Sequence, residues 1–409
     1  AGNQLDNIKI IEGRFSPKDS IEKNNQLIDK IRRGWLHLNN RQDCDKSNIR
    51  LTAHFIKRAD KGKDDIRFKA LRLKNRKICE ALISLRNSGS KNGRAIVGID
   101  AAASEFDTPP EVFAPVFKRL RENGFQYFTF HAGEDFYHLL GGLRAIYEAI
   151  TFLDLQRGDR IGHATAAGVD PGIWEHNVGC EVVVPIGAYM DDLLFVYYLI
   201  SNNECKALES LMPRLYMRIM ELSREIFPND EFQVYDLIYS WKKRQEDILE
   251  LADSGELNNI KALKRYHQKE YVEKYKKEIK VKIFEILDEN ALREVQLAIL
   301  KIMHHKEIAI ETLPTSNIFI GYHNSFNTYH LVNWIRWEKE GKPIPPIVLG
   351  TDDAGIFATN IYNEYCHIYT LLVYEYDFCI NEAFEIIRKI NRDANYYTFN
   401  NDSLYAANK

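Results

Sequence analysis

The chain has 409 residues, of which 45% are hydrophobic and 12% are aromatic. This composition supports a large buried core and excludes a disordered chain, and the length fits one α/β barrel with an insertion or two domains. The 55 basic and 58 acidic side chains give a formal net charge of -3. A charge near zero provides no general attraction for nucleic acid, so we expect no nucleic-acid partner and favour small-molecule chemistry.

Cysteine usage and hydropathy predict a cytoplasmic protein. The polar start "AGNQLDN" does not resemble a signal peptide, and the longest apolar run, residues 193–200, is too short to cross a bilayer. We therefore expect no membrane partner. The cysteines show no C-x-x-C spacing and are typical of reduced thiols. They are Cys44, Cys79, Cys180, Cys205, Cys366 and Cys379.

Short β-type runs recur along the chain, and several end in polar or reactive residues. Helix-like segments with apolar positions at 3.6-residue spacing separate most of them, for example residues 68–85, 111–123 and 139–152. This alternation predicts a parallel sheet, either doubly wound or closed into a barrel. The seven runs begin at Ile8, Ile49, Arg94, Gln126, Asp159, Ile308 and Pro346.

The position of the reactive residues favours the barrel. Acids and histidines follow several different strands, and the active site of a barrel is assembled at the carboxyl ends of its strands. A doubly wound nucleotide-binding sheet would carry a glycine-rich phosphate loop, which this sequence lacks. We predict a TIM (β/α)8-type barrel.

A long segment dense in Lys, Glu, Tyr and Leu interrupts the strand-helix alternation. Its apolar spacing and its neighbouring opposite charges are typical of solvent-facing helices. We predict an all-helical subdomain at residues 186–303, inserted between barrel parts at 1–185 and 304–409. Its expected role is a lid or an oligomer contact, including a homo-oligomer formed through the insertion, rather than a second catalytic unit.

The stretch "YFTFHAGEDFYH" places His131 directly after an apolar strand. The tight turn at Gly133 then leaves Glu134 on the same rim as the imidazole. This arrangement suits a metal ligand beside a general acid or base. The alternative is a histidine that makes ordinary hydrogen bonds.

Two further strand ends carry the same kind of residue. "RIGHA" places His163 after one strand, and "LGTDDAG" places Asp352 and Asp353 after the last one. Adjacent acids on a strand point to opposite sides, so one could face a metal or its water and the other a substrate. Acid pairs in loops also serve as solvated turn formers. Three such strand ends in order make coincidence less plausible.

The motifs "HAGED", "RIGHA", "ETLPTSN" and "LGTDDAGIFATNIYNEY" resemble those of the adenosine deaminase family in the metal-dependent amidohydrolase superfamily. "IKIIEGRFSP" and "VGIDAAASE" resemble that family's second strand and its D-x-A-G-x-E segment. The resemblance covers both ends of the chain and skips the insertion. It implies a barrel that deaminates purines.

Several roles follow from the resemblance. His131 and Asp352 correspond to zinc ligands, Glu134 to the acid that protonates the purine ring at N1, and His163 to the residue that orients the attacking hydroxide. Zinc would lower the pKa of its bound water to roughly 7. Glu134 would need a raised pKa, which a desolvated pocket provides.

Two residues are implied to contact the purine. Asp353 would hydrogen-bond to the ring, and Ala103 stands where the family has a glycine whose backbone N–H meets the purine. A backbone donor survives this replacement only if φ is negative there or if the site adjusts. Ala103 and the insertion together argue against plain adenosine as the best substrate.

The sequence departs from the family at the metal site, because it contains no H-x-H, the motif that supplies two more ligands. The adjacent His304 and His305 cannot project from one strand face and are interpreted as surface or cap residues. A catalytic zinc site has three protein ligands, and two are present. Either the first strand lies outside this sequence or the metal site has been lost; the other site residues favour the first reading.

The function predicted is zinc-dependent hydrolytic deamination of an adenine nucleoside or nucleotide to its inosine form, with release of ammonia. One alternative is a catalytically silent barrel that acts as an assembly or binding scaffold. Another is an amidohydrolase acting on a different amide or phosphoester, which the "HAGE" and "TDD" pairing disfavours.

Overall fold

The computed structural model describes residues 8, 10–38, 49–62, 64–106, 108–323 and 325–400. Seven parallel strands form one curled sheet in the order β1-β2-β3-β4-β5-β8-β9, and β6 and β7 form a separate antiparallel pair. The strands are β1 (Ile11–Phe15), β2 (Ile49–Ile56), β3 (Ile96–Ala102), β4 (Tyr127–Ala132), β5 (Arg160–His163), β6 (Glu181–Pro185), β7 (Glu278–Lys282), β8 (Ala309–Thr312) and β9 (Ile347–Leu349).

Helices surround the curled sheet, and the predicted TIM-type α/β architecture is confirmed. The seven predicted strands are the seven strands of the sheet. Within the described residues, the edge strands β1 and β9 do not pair with each other. The helices are α1 (Ile21–Leu38), α2 (Lys69–Asn87), α3 (Lys91–Ala95), α4 (Ala114–Glu122), α5 (Leu139–Phe152), α6 (Pro171–Val178), α7 (Ile186–Ser201), α8 (Met212–Ile226), α9 (Val234–Lys243), α10 (Ile248–Asp253), α11 (Lys261–His267), α12 (Lys269–Tyr275), α13 (Glu289–His305), α14 (Pro314–Ile320), α15 (Leu331–Lys339), α16 (Ile361–Thr370) and α17 (Ile380–Tyr396).

The insertion is mostly helical but contains one strand. β7 has the sequence "EIKVK", in which apolar and charged residues alternate, and it pairs with β6 along its whole length. That alternation suits a sheet with one buried face. Along the chain, helices α7 to α12 lie between β6 and β7. The segment therefore is not the run of long helices that its charge pattern predicts.

Helix α13 belongs with the barrel helices, because it packs against α5 and α6. It buries Leu292, Val295 and Ile299 along one face, as the spacing of an amphipathic helix requires. The predicted boundary at residues 303 and 304 falls inside this helix. The division into three parts remains a prediction.

Of the described cysteines, Cys79 and Cys205 are buried, whereas Cys180, Cys366 and Cys379 are exposed. Cys79, Cys180, Cys205, Cys366 and Cys379 are free thiols, and Cys44 lies outside the described residues. Among the helices described, none has both the length and the apolar composition that a bilayer crossing requires.

Phe399 closes the end of the barrel at which the strands begin. Its side chain is buried, stacks on Tyr127 with a centroid distance of 5.1 Å, and meets the Arg160 guanidinium at 3.7 Å. Its backbone N–H donates to Glu12 Oε1 at 2.6 Å. A Cβ on Gly98 would lie 2.5 Å from the Phe399 ring, so a glycine is required there. The C-terminal segment thus fills the base of the barrel.

Phe399→Ala should lower the free energy of unfolding by about 3–5 kcal/mol, because it removes a buried ring and leaves a cavity. Urea unfolding followed by circular dichroism would measure this loss. Phe319 is 72% exposed, so Phe319→Ala serves as the matched control and should cost about 0.5 kcal/mol or less. Equal losses in the two variants would contradict the plug at the barrel base.

Candidate active site

Asp100 lies at the centre of the barrel interior and holds side chains from three strands. Its Oδ2 accepts from Arg14 Nε at 2.8 Å and lies 3.0 Å from His54 Nδ1, while its Oδ1 lies 3.1 Å from His131 Nδ1. An ionised carboxylate only accepts hydrogen bonds, so His131 donates through Nδ1. In a neutral imidazole this arrangement leaves the lone pair on His131 Nε2 for a ligand.

Asp100 stays ionised although it is fully buried. Burial raises its pKa, but the neighbouring His131 and Arg14 outweigh burial and hold the pKa of Asp100 well below its usual range. Arg14 also donates to Glu311 at 2.6 Å, and Arg160 Nε lies 3.2 Å from the other oxygen of Glu311. Each of these charges in the barrel interior is thereby paired with a neighbour of opposite sign.

The turn after β4 places Glu134 on the rim. Gly133 has φ of 79°, and a Cβ there would lie 2.6 Å from Ile146 Cδ1, so the turn requires glycine. The Glu105 carboxylate accepts the backbone N–H groups of Gly133 at 2.7 Å and of Glu134 at 3.3 Å. Lys57 Nζ donates to the His131 carbonyl at 2.6 Å. Side chains from two neighbouring loops therefore fix the "HAGE" turn.

Glu134 is a protonated acid at neutral pH. Burial, followed by the negative charges of Glu105, Asp135 and Asp352, raises the pKa of Glu134 to about 9. Its Oε1 lies 3.1 Å from His163 Nδ1. A carboxyl group held neutral in this way can donate a proton, the property that the resemblance requires of this residue.

His163 is held as a neutral imidazole in a strained backbone. Its φ is 64°, in the left-handed region that a non-glycine residue rarely adopts. The Asn317 side-chain oxygen accepts from the Leu313 N–H at 3.2 Å, so the Asn317 amide donates to His163 Nδ1 at 2.8 Å. Burial and then His131 lower the pKa of His163 well below its usual value. The proton consequently resides on Nε2, which can donate to a ligand.

The structure brings three of the predicted residues into one cluster. The rings of His131 and His163 lie 5.1 Å apart, and a Cβ on Gly162 would come within 3.2 Å of His131 Cγ, so glycine leaves room for the ring. Glu134 joins the cluster through its contact with His163. Asp352 is exposed and accepts from Ser316 Oγ at 2.7 Å, and its charge acts on Glu134.

Asp353 and Ala103 lie outside this cluster. Asp353 Oδ1 accepts the N–H groups of Gly355 and Ile356 at 3.0 Å each, which is the turn-forming role weighed above. Ala103 is exposed with φ of 89°, so it keeps a conformation that favours glycine. In the part of the chain that the structure describes, neither the Asp353 carboxylate nor the Ala103 backbone hydrogen-bonds to the cluster. Their contacts with the purine remain predictions.

The described residues do not by themselves fit a catalytic zinc ion. His131 Nε2 and the Asp352 carboxylate have suitable donor atoms, but such a site needs three protein ligands. Within the described ranges, no group of three or more His, Cys, Asp and Glu side chains is arranged to hold a metal ion. His304 and His305 form the last turn of α13, in keeping with their interpretation as cap residues.

Sequence reasoning did not single out Asp100, His54, Glu105 and Lys57. The motif "VGIDAAASE" contains Asp100 and Glu105, and a one-in-two alternation along β3 would have directed Asp100 to the same face as Gly98. His54 and Lys57 stand near the end of "IRLTAHFIKR" and carry the same signal of polar residues at a strand end. A search of every predicted strand end would have found them.

The fold and the site together define an α/β barrel with a buried neutral acid and two histidines at the carboxyl ends of its strands. Among solved structures, the chain is similar to the apo N6-methyl-AMP deaminase of Arabidopsis thaliana, at 15% identity and a TM-score of 0.38, covering 87% of this chain and 56% of that one. It is also similar to the adenine deaminase of Arthrobacter aurescens, at 13% identity and a TM-score of 0.38, covering 88% and 59%. A third similar structure is Arabidopsis ADAL complexed with IMP, at 15% identity and a TM-score of 0.38, covering 87% and 55%.

The chain spans little more than half the length of the solved chains that it matches. No family profile matches it, and no curated protein matches it. The proposals below therefore rest on the site residues and not on these likenesses.

Ala103→Gly should leave the protein equally stable or stabilise it by about 0.5–1 kcal/mol, because glycine adopts the positive φ without strain. Ala145 lies in the middle of α5, so Ala145→Gly provides the contrast and should cost about 1 kcal/mol. Thermal and urea unfolding of both variants would measure the two changes. A similar loss in both would show that Ala103 is not strained.

Glu134→Gln should stabilise the protein increasingly as the pH rises from 5 to 8. The folded-state pKa of about 9 lies above the usual 4.5, so unfolding releases the Glu134 proton within this window and wild-type stability falls as pH rises. The advantage of the variant should grow by at most about 1.4 kcal/mol per pH unit. Urea unfolding at several pH values would measure it, with the exposed Glu340→Gln as control. A difference between variant and wild type that does not change with pH would contradict a neutral Glu134.

Proposed function

We propose that this protein hydrolytically deaminates an adenine nucleoside or nucleotide, converting it to the inosine form with release of ammonia. The observation that carries the proposal is the neutral, buried carboxyl group of Glu134 beside the neutral imidazole of His163. Two groups held in defined protonation states at one strand edge are the equipment of acid–base catalysis.

The chemistry follows from these protonation states. Water adds to the ring carbon that bears the amino group, and negative charge develops on the ring nitrogen N1. Glu134 would deliver its proton to N1, and His163 Nε2–H would orient the attacking oxygen. One proton of the attacking water would restore the Glu134 carboxyl group, and the other would leave with the amino group as ammonia, which gives the keto purine. Asp353 and Ala103 are the residues that we propose to contact the purine.

Zinc is part of the proposal, with His131 and Asp352 as the ligands that this chain would contribute. Bound zinc would supply a water of lowered pKa. The hydrogen bond from His131 to Asp100 supports the ligand role, since metal-binding histidines commonly donate their second N–H to a carboxylate. Because two donors are one short of a catalytic set, no step above depends on the metal.

The competing function is a silent deaminase-like barrel that serves as a scaffold. The incomplete set of metal donors and the turn-forming role of Asp353 favour it. The retained neutral acid disfavours it, because a scaffold gains nothing from a buried carboxyl group without an ion-pair partner. Assembly through the insertion and a cytoplasmic location remain predictions under either function.

The test is ammonia release from adenosine, AMP and ATP with added zinc, measured for this chain alone and for the chain with the coding sequence immediately upstream of Ala1. Zinc content is determined on the same samples. We expect deamination in at least one preparation, and the inosine product identifies it. No turnover of any substrate by either preparation would favour the scaffold.

Glu134→Gln should lower kcat at least about 10²-fold, because the amide cannot donate the proton that the carboxyl group donates. Circular dichroism would confirm that the variant is folded. Glu340→Gln, at the exposed residue that follows α15, should retain wild-type turnover. Near-normal turnover by Glu134→Gln would end the assignment of this residue as the proton donor.

A further inference from the structure

Two adjoining cavities lie between the barrel loops and the insertion. The larger, of about 370 Å³, is lined by Glu105 and His131 on the barrel side and by Tyr266 and Tyr275 on the insertion side. The smaller, of about 210 Å³, lies beside it and is lined by residues of α11 and α12 and of the loop after β2. Asp60, Arg67 and Lys276 line both cavities. The two spaces therefore meet at these three side chains.

Among the described residues, Arg67 is a buried cation with no carboxylate within 4 Å, and the nearest influence of opposite charge on it comes from Glu111. Arg67 is 7% exposed, and its Nε and Nη1 atoms are buried with no hydrogen-bond partner in the described part of the chain. The guanidinium instead meets the faces of Tyr266 at 4.1 Å and Tyr275 at 4.8 Å. Aromatic faces hold a guanidinium plane in place and leave its N–H groups free to bind.

Arg67 differs from two other arginines on the wall of the larger cavity, because each of those two forms an ion pair with an aspartate. Arg244 pairs with Asp191 at 2.6 and 3.0 Å, and Arg144 with Asp192 at 2.7 Å. Each of them also lines the larger cavity. A buried charge without a partner costs free energy, so an arginine left unpaired at a cavity wall fits a ligand of opposite charge.

A second side chain in the smaller cavity also lacks partners. His267 is 3% exposed, and neither of its ring nitrogens has a hydrogen-bond partner among the described residues. Four of the side chains that line this cavity are Lys or Arg and three are Asp or Glu. The basic ones are Lys61, Arg67, Lys269 and Lys276, and the acidic ones are Asp60, Asp64 and Glu273. The lining of the smaller cavity therefore has a small excess of positive charge, which suits an anion.

We propose that Arg67, with Lys276, binds a phosphate-bearing ligand at the junction of the two cavities. Arginine and phosphate form strong charge-assisted hydrogen bonds. The phosphates belong either to a nucleotide substrate or to a separate phosphorylated ligand. The first source rests on the deaminase function proposed above, whereas phosphate binding itself does not.

Isothermal titration of the full chain with ATP, pyrophosphate and adenosine would test this site without any turnover. ATP or pyrophosphate should bind, and Arg67→Gln should raise Kd at least 10-fold, with Arg67→Lys in between. Lys276 is exposed, so Lys276→Gln is a variant with little risk to folding and should raise Kd several-fold. Arg388→Gln, at an exposed position of α17, should have the Kd of wild type. No binding by wild type, or an unchanged Kd in Arg67→Gln and Lys276→Gln, would overturn the proposal.

Stability and kinetics separate the remaining explanations. In phosphate-free buffer the urea midpoint of Arg67→Gln should stay close to that of wild type, because removal of a buried charge offsets the lost contacts with Tyr266 and Tyr275. A strongly destabilised variant would show a structural role instead. If the substrate supplies the phosphates, Arg67→Gln should raise KM for ATP and AMP but leave KM for adenosine unchanged. Equal KM values in variant and wild type, together with the expected loss of binding, would assign the site to a separate phosphorylated ligand. Absence of deamination would leave the binding result intact and would refute only the proposed function.

Discussion

The geometry of the candidate site depends on a line of alternating charges inside the barrel. From base to rim these are Glu12, Arg160, Glu311, Arg14 and Asp100, and each contacts the next. Such charges are tolerated in a barrel core only because every one has a partner. The line ends on the carboxylate that orients His131. The direction in which His131 presents its free nitrogen is therefore set by the interior of the barrel and not by the loops around the site.

Two buried acids in this core are driven to opposite protonation states by their surroundings. Asp100 is surrounded by Arg14 and two histidines and stays ionised, whereas Glu134 is surrounded by other acids and stays protonated. Both acids lose solvation on burial, so the sign of the neighbouring charges decides the outcome. Pairs of titratable groups separated in this way are how a single site holds an acid and a base at neutral pH.

Much of this arrangement could be predicted from the sequence, because it depends on strand ends. The alternation of apolar runs with helical spacing was sufficient for the sheet, and the motifs led to His131, Glu134 and His163. The strand β7 was missed because its five residues lie in a segment whose charges favour helices. The partners of Asp100 come from strands far apart in sequence, and no local pattern indicates that His54 and Arg14 meet there.

Glu111 is one of several buried carboxylates that join the insertion predicted at residues 186–303 to the barrel, together with Glu148 and Asp192. Glu111, which stands before α4, accepts from the Tyr266 hydroxyl at 3.2 Å and lies 3.6 Å from Arg72 and 4.0 Å from Arg244. Tyr266 and Arg244 belong to the insertion, and Arg72 belongs to α2 of the barrel. The same tyrosine packs on Arg67. A ligand that binds Arg67 would therefore lie next to contacts that join the insertion to the barrel.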